Sequence, residues 1–294
     1  MPANDLQHLI TGLEADASLR VPDQLRRRLD ALDALDSYFA EADEKALADE
    51  PDIAAIHSQA KALRSKLDTA NAALYQNIRL EIQRGAQANS LLKWLERVSG
   101  RNENGLPLPG LGYDHQDELV AGVFALREPQ RAKTAPEPEM DFYQPTPVRH
   151  ILRLIAISAL SAADVLVDLG SGLGHVPLLA SILTGARSLG IEVEPAYVTC
   201  ARECAERLRL DRVTFVPQDA RSADLSTGTV FHLYTPFTGA MLAQVLERLR
   251  NESTSRPIKI CTLGPCIEQV AAQPWLQAIT PPDLDQITLF LSRP

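Results

Sequence analysis

The stretch VLVDLGSGLGHVPLLA, residues 165–180, contains the transition that decides the fold. Four of its first five residues are apolar, which is typical of a short buried strand. Gly170, Gly172 and Gly174 follow at alternate positions, and a helical pattern begins at His175. Because glycine lacks a Cβ atom, the backbone can turn sharply here and approach a ligand closely. The segment therefore predicts a strand, a glycine turn and a helix, which together form a ligand platform in α/β sheets.

Strand and helix patterns alternate around this segment, from Tyr143 to the end of the chain. The apolar runs predicted as strands are Val165–Leu169, Ser188–Val193, Val213–Val216, Val230–Tyr234, Ile258–Leu263 and Gln286–Leu291. Helical patterns separate most of these runs. The alternation predicts an α/β fold with a mostly parallel sheet covered by helices on both faces.

The first hundred residues have a helical pattern instead. Along one predicted helix, leucines recur at steps of three and four, at Leu25, Leu29, Leu32 and Leu35. Two more helical patterns follow, over 51–85 and 89–100. We predict a helical N-terminal domain and connector over residues 1–140 and the α/β domain over 141–294.

Composition limits the partners and the location. The chain has 294 residues and a net charge of −9, which disfavours tight nonspecific nucleic-acid binding. The basic run Arg26–Arg28 is flanked by acids and is predicted to be a solvated helix face. No apolar stretch reaches the ~18 residues of a membrane helix and no secretory pattern opens the chain, so we expect a cytoplasmic protein without membrane contact. Cysteine and histidine spacings indicate no metal site.

Asp168 helps to decide which ligand the glycine turn would hold. A dinucleotide site needs G-x-G-x-x-G, and here the third glycine is out of register because position 175 is histidine. A carboxylate just before the turn would also repel a pyrophosphate, whereas it would attract a cationic amine. Both features count against a nicotinamide-dependent oxidoreductase.

The segment VDLGSGLG, residues 167–174, resembles the first motif of class I S-adenosylmethionine-dependent methyltransferases, which is an acid two residues before G-x-G-x-G. The resemblance covers roughly Tyr143 to Pro294. It implies a Rossmann-like, mostly parallel sheet of seven strands and S-adenosylmethionine as the cofactor. It also implies that Asp168, Gly170, Gly172 and Gly174 bind that cofactor.

Two later acids fit the same site. Glu192 ends the next predicted strand about 20 residues after Gly170, where adenosine-binding folds keep a carboxylate for the ribose hydroxyls. Asp219 follows the third predicted strand. In the methyltransferase family an acid at that position takes the adenine amino group, and the backbone N–H of the next residue, here Ala220, takes a ring nitrogen.

Upstream of the glycine turn, Tyr143 and Thr146 match a tyrosine and a threonine of the non-SET (disruptor-of-silencing type) histone lysine methyltransferases. In that family these residues help to enclose the cofactor, and glutamine stands where this chain has His175. An ordinary structural account carries equal weight: a tyrosine packed beside a helix start, and Thr146 as N-cap with Pro147 at the first helical position.

Two further segments supply candidates for catalysis and substrate binding. The fourth predicted strand ends in Tyr-Thr-Pro-Phe, which loosely resembles the acceptor motif of methyltransferases that act on amines. It implies Tyr234 as a catalytic hydrogen-bonding group, with Pro236 and Phe237 against the substrate. His115 lies in an acidic cluster that is either a helix N-cap or a lid over the cofactor, and in a lid it would be a candidate base.

Three hypotheses follow from the sequence. The first is a methyltransferase that acts on an unidentified small molecule or protein side chain. The second is an S-adenosylmethionine-binding regulatory or interaction module, whose N-terminal helices engage a partner protein or a second copy of the chain. The third is the nicotinamide-dependent oxidoreductase disfavoured by Asp168 and His175.

Overall fold

The computed structural model describes residues 3–41, 51–85, 89–99, 112–127, 129 and 143–293. Within the first 129 residues the described α-helices are α1 (Ala3–Ala15), α2 (Leu25–Glu41), α3 (Pro51–Gln83), α4 (Asn89–Val98) and α5 (His115–Phe124). None of the described helices is long and apolar enough to cross a membrane. The predicted domain boundary near residue 140 lies outside the described residues, so the division of the chain stays a prediction.

The second half begins with α6 (Val148–Ser158) and continues as alternating strands and helices. The strands are β1 (Val165–Leu169), β2 (Arg187–Glu192), β3 (Val213–Pro217), β4 (Val230–Tyr234), β5 (Lys259–Leu263), β6 (Leu276–Ala278) and β7 (Thr288–Ser292). The connecting helices are α7 (His175–Thr184), α8 (Pro195–Leu208), α9 (Gly239–Ser253) and α10 (Cys266–Ala271).

The strands form one sheet in the order β3-β2-β1-β4-β5-β7-β6. β7 runs antiparallel to both of its neighbours, and the other pairs are parallel. The six predicted strands are confirmed to within two residues at each end. β6 was missed because it has only three residues, too few to show a periodic pattern.

Both faces of the sheet are buried, as a parallel sheet requires. Leu166 of β1 belongs to a hydrophobic cluster with α6, α7 and α8, whereas Val167 faces α9 and α10 on the other side. The first cluster also includes Leu29 of α2 and Ile78 of α3. The N-terminal helices and one face of the sheet therefore share a continuous core.

Arg28 corrects the expectation of a solvated basic face. Its side chain is 1% exposed, whereas Arg26 and Arg27 are exposed. The Arg28 guanidinium donates from Nε to Asn71 Oδ1 at 2.6 Å, from Nη1 to the Val21 carbonyl at 2.7 Å and from Nη2 to the Pro22 carbonyl at 3.0 Å. It therefore joins α2 to α3 and fixes the turn before α2. Sequence spacing gave no sign of this burial because Asn71 lies far along the chain.

Replacing Arg28 by methionine should lower the free energy of unfolding by about 2–4 kcal/mol, because the buried Asn71 oxygen and two partly buried carbonyls lose their charged donor. Urea unfolding of the full chain measures the change. The matched control is Arg26→Met, whose side chain is exposed, and we expect it to shift stability by no more than ~0.5 kcal/mol. Equal losses in the two variants would show that the Arg28 network is not stabilising.

Candidate functional site

The glycine turn after β1 is left-handed at all three glycines. The φ angles are +82° at Gly170, +51° at Gly172 and +86° at Gly174. L-residues with a side chain rarely adopt these angles, so the pattern is a backbone requirement. Gly174 is the N-cap of α7, which begins at His175 as the sequence predicted.

Each glycine also lies against a side chain from another segment. A Cβ atom at Gly170 would come within 2.3 Å of Pro236 Cβ, and one at Gly172 within 1.9 Å of the Tyr143 ring. A Cβ at Gly174 would meet the Phe215 ring at 2.5 Å. The structure thus brings Tyr143 and Pro236 to the turn, whereas the cofactor role of Tyr143 and the substrate role of Pro236 stay predictions. The same contacts give the glycines a packing role that does not depend on a ligand.

Glu192 fixes the turn from the end of β2. Its Oε2 accepts the Gly172 N–H at 2.8 Å and its Oε1 accepts the Glu194 N–H at 2.9 Å. The side chain is buried, and burial is the main cause that raises the pKa of Glu192, with a smaller contribution from the negative charge of Asp168. Each carboxylate oxygen keeps a further lone pair, so these bonds leave it able to accept ribose hydroxyls.

Asp168 is buried beside the turn and has a partner that the sequence did not reveal. His232 of β4 donates from Nδ1 to Asp168 Oδ1 at 2.7 Å, with the side chains 1% and 5% exposed. The two residues are in register across β1 and β4. An alternating pattern along β4 would have placed His232 in the sheet, but its pairing with Asp168 depends on the order of the strands.

Asp219 and Ala220 follow β3 as predicted, and Asp219 is already engaged. Its two oxygens accept Nε of Arg221 at 3.0 and 2.9 Å, and Oδ2 also accepts Nη2 at 2.6 Å. This hydrogen-bonded pairing with Arg221 is the largest of the causes that lower the pKa of Asp219. Ala220 is buried. The adenine contacts assigned to these residues stay predictions.

Tyr143 covers the glycine turn and bonds to the helix that follows it. Its hydroxyl lies 3.2 Å from His175 Nδ1, and its ring lies 5.0 Å from that of Tyr197. Desolvation lowers the pKa of His175 to about 4, so its imidazole is neutral at pH 7 and can accept the phenol hydrogen. Histidine therefore takes a hydrogen-bonding role where the resembled family has glutamine.

Thr146 is buried but is not the N-cap that the sequence predicted. Pro147 occupies the cap position of α6, which starts at Val148. The Val148 N–H donates instead to Asp117 Oδ1 of α5 at 2.8 Å. The carboxylate from another helix replaces the local cap, and this removes the capping explanation for Thr146.

The end of β4 is held in a strained conformation. Thr235 has a φ of +38°, which is an outlier for a β-branched residue. Its hydroxyl donates to the Leu263 carbonyl at 2.9 Å and accepts the Cys266 N–H at 3.2 Å. Tyr234, the last residue of β4, is half-buried at the carboxyl end of the strand. The sequence missed Thr235 because its hydrogen bonds come from β5 and α10.

Phe237 corrects the prediction of a substrate-stacking ring. Its side chain is 5% exposed and belongs to the hydrophobic cluster under α9. A ring that is packed inside this cluster is not presented to a substrate. Pro236 stays at the turn through its contact with Gly170.

His115 corrects the prediction of a catalytic base. Asp114 caps α5 in a capping box with Asp117, which confirms the N-cap interpretation of the acidic cluster. His115 Nε2 lies 2.8 Å from Asp30 of α2, and its Nδ1 lies 3.2 Å from Glu118. The hydrogen bond to Glu118 is the main cause that raises the pKa of His115 to about 9, followed by Asp30. At pH 7 the ring therefore already holds its proton and is poorly suited to remove another.

The same carboxylates argue against a metal ion at His115. Candidate ligand atoms of Asp33, His115 and Glu118 lie within 4.8 Å of one another. A histidine ligand must be neutral, whereas these acids favour its protonated form. We interpret the cluster as an ion-paired contact between α2 and α5.

The sheet order and the acid-flanked turn define a Rossmann-like fold of the class I methyltransferase type. A dinucleotide-binding sheet has the order 3-2-1-4-5-6, whereas here the antiparallel strand β7 lies between β5 and β6. This order confirms the fold that the glycine motif implied. It agrees with the out-of-register glycine in disfavouring a nicotinamide site.

Comparisons with known proteins find similarity over parts of this chain. No family model matches the chain. A segment of 91 residues, 31% of this chain, is 33% identical to the H3 lysine-79-specific histone-lysine N-methyltransferase of Cryptococcus neoformans var. neoformans serotype D. The matched segment spans only 13% of the length of that relative.

Among solved structures, an RNA methyltransferase from Salinibacter ruber in complex with S-adenosyl-L-homocysteine is similar, with 27% identity and a TM-score of 0.39. The match covers 51% of this chain and 92% of that one. A putative methyltransferase from Escherichia coli is 16% identical with a TM-score of 0.42, over 53% of this chain and 91% of that one.

Gly172→Ala should destabilise the protein by about 3 kcal/mol or more, because it adds a steric clash with Tyr143 to the cost of a left-handed alanine. Gly85→Ala is the matched control, since Gly85 has a φ of +68° but nothing within 4 Å of its added Cβ. The control should cost only about 1–2 kcal/mol. Urea unfolding compares them, and equal losses would show that the Tyr143 contact does not constrain the turn.

The charge of His115 should make stability fall as the pH rises. Its pKa is higher in the folded protein, about 9, than the ordinary 6.5, so its contribution is complete below pH 6.5 and is lost as the pH rises through 9. We expect this contribution to the free energy of unfolding to be about 1–2 kcal/mol, because solvent screens the charges of the exposed acids. His115→Gln should remove this loss in unfolding measurements between pH 6.5 and 9.5. The exposed His8→Gln should retain it, and an unchanged profile in His115→Gln would contradict the assignment.

Proposed function

We propose that this protein is an S-adenosylmethionine-dependent methyltransferase. The observation that carries the proposal is the pair of buried carboxylates, Asp168 and Glu192, beside the glycine turn at the carboxyl ends of β1 and β2. Ligands of open α/β sheets bind at that edge. Two carboxylates there favour a nucleoside that carries positive charge over one that carries a pyrophosphate.

The residues at this edge fit the cofactor's chemical groups. Asp168 would bind the ammonium group of the methionine end, and Glu192 would accept the ribose hydroxyls. Asp219 and the Ala220 N–H would bind adenine, provided that the adenine amino group shares the Asp219 carboxylate with Arg221. Gly170 is exposed between buried neighbours, which supports access from solvent at the turn.

The cofactor supplies an activated methyl group on a sulfonium, and the protein has to align an acceptor with it and exclude water. Tyr143 covers the turn on one side and Pro236 contacts it on the other. We assign the acceptor side to the end of β4, where the Tyr234 phenol can donate or accept a hydrogen bond. Phe237 has no place in this site, and no residue is assigned as a catalytic base.

The acceptor is a small molecule or a protein side chain in this proposal. The similar fungal protein acts on a histone lysine and the Salinibacter protein on RNA, by their names. The net charge of −9 favours a basic protein or a small molecule over bare nucleic acid. The cytoplasmic location expected from the sequence stays a prediction.

The interaction-module hypothesis has less support from the packing. The apolar face of α2 packs on its neighbours through Leu29 and Leu35, and that of α3 through Leu67 and Ile78. These faces are therefore covered within the chain rather than offered to a partner. Turnover decides between the hypotheses, because a binding module would hold the cofactor without transferring its methyl group.

Calorimetry with S-adenosylhomocysteine and with NADH tests the nucleoside site directly. The wild type should bind S-adenosylhomocysteine and not NADH. Glu192→Gln should weaken S-adenosylhomocysteine binding by about 1–3 kcal/mol, because an amide can no longer offer two accepting oxygens to the ribose and the turn.

The matched control is Glu194→Gln. Glu194 is also buried but accepts the Ala196 N–H as the N-cap of α8, and an amide oxygen can replace that bond. We expect its affinity to stay within about twofold of the wild type. A wild type that binds NADH but not S-adenosylhomocysteine would refute the proposed function, and an unchanged Glu192→Gln would remove Glu192 from the site.

A further inference from the structure

His232 is an unusual residue for its position. β4 lies at the centre of the sheet between β1 and β5, and its sequence, Val-Phe-His-Leu-Tyr, is otherwise apolar or aromatic. The side chain of His232 is 1% exposed. Burying an imidazole costs free energy unless its polar atoms find partners. A central strand would therefore normally place an apolar residue here.

Within the part of the chain that the structure describes, only one of the two ring nitrogens has a hydrogen-bond partner. Nδ1 lies 2.7 Å from Asp168 Oδ1, and among the described residues Nε2 has no hydrogen-bond partner although it is fully buried. An ionised carboxylate only accepts hydrogen bonds, so Nδ1 carries the proton. In the neutral ring Nε2 is then a bare acceptor, which costs less than an unpaired buried N–H donor.

We propose that His232 is a positioning residue: its imidazole holds one Asp168 oxygen, so that the other oxygen is presented to the ammonium group at the methionine end of the cofactor. This inference rests on the proposed function. The register fixes the arrangement, because Asp168 and His232 are direct partners across β1 and β4 and their side chains point to the same face.

The distance supports a strong interaction. At 2.7 Å between heavy atoms, a hydrogen bond to an ionised carboxylate lies at the short end of the charge-assisted range. It restricts rotation of the Asp168 carboxylate on a strand that is paired on both sides, with β2 and β4. A fixed carboxylate binds a cation better than a mobile one, because no orientation has to be ordered on binding.

The competing explanation is that His232 only compensates for burying an acid. The two explanations differ in which part of the ligand is affected. If His232 has a positioning role, its replacement weakens only the binding of the ligand's amino-acid end. If its role is structural, the replacement disturbs the whole nucleoside site. S-adenosylhomocysteine has the amino-acid end and 5′-methylthioadenosine lacks it, so the ratio of their affinities separates the explanations.

Calorimetry with both compounds on His232→Asn and His232→Gln provides the test. The asparagine amide places an N–H close to the position of Nδ1, whereas the glutamine amide reaches the position of Nε2, away from Asp168. We expect His232→Asn to retain both affinities within about threefold. His232→Gln should bind S-adenosylhomocysteine at least ~10-fold more weakly, with 5′-methylthioadenosine changed by no more than about twofold.

The control is Thr262→Val on the neighbouring strand β5. Thr262 is buried, and valine is nearly isosteric with threonine. It should leave the ratio of affinities unchanged, and urea unfolding shows that each variant is folded. If His232→Gln lost affinity for both compounds equally, or lost affinity for neither, the positioning role would be overturned. A wild type that binds both compounds equally would overturn it too while keeping the nucleoside site. Binding of neither compound would refute the proposed function itself.

Discussion

The packing of three side chains on a left-handed backbone turn holds together the sheet edge at the carboxyl end of β1. Tyr143, Phe215 and Pro236 come from three separate segments and occupy the positions where Cβ atoms of the glycines would lie. The turn is therefore where the segment before α6, strand β3 and the end of β4 meet. A side chain at any of the three glycines would push one of these segments away.

This packing limits what a glycine motif can reveal. The glycines are needed for the turn and for its neighbours whether or not a ligand binds, so their pattern alone does not identify the ligand. The discriminating information lies in the charges around the turn. Asp168 and Glu192 are both buried there, and the negative charge of Asp168 adds to the burial that raises the pKa of Glu192. A cationic ligand relieves that repulsion, whereas a pyrophosphate would add to it.

What could be predicted from the sequence were the local features. Six of the seven strands, the glycine turn and the acids at the strand ends follow from apolar runs and residue spacing, and those six strands were located within two residues. Three features depend on contacts between distant segments and were not predictable: the burial of Arg28 against Asn71, the ion pair of His115 with Asp30, and the pairing of His232 with Asp168. None of these partners lies within one helical turn of the residue that it binds.

The placement of Phe237 shows how one backbone angle changes the role of several residues. The positive φ of Thr235 turns the chain at the end of β4, and the bonds of its hydroxyl to Leu263 and Cys266 hold that turn. As a result Tyr234 stays at the sheet edge, Pro236 reaches the glycine turn, and Phe237 enters the cluster under α9. Thr235 stands where the resembled motif has a proline. Because β5 and α10 hold this strained residue through its hydroxyl, the C-terminal half of the sheet fixes the position of Pro236 beside the glycine turn.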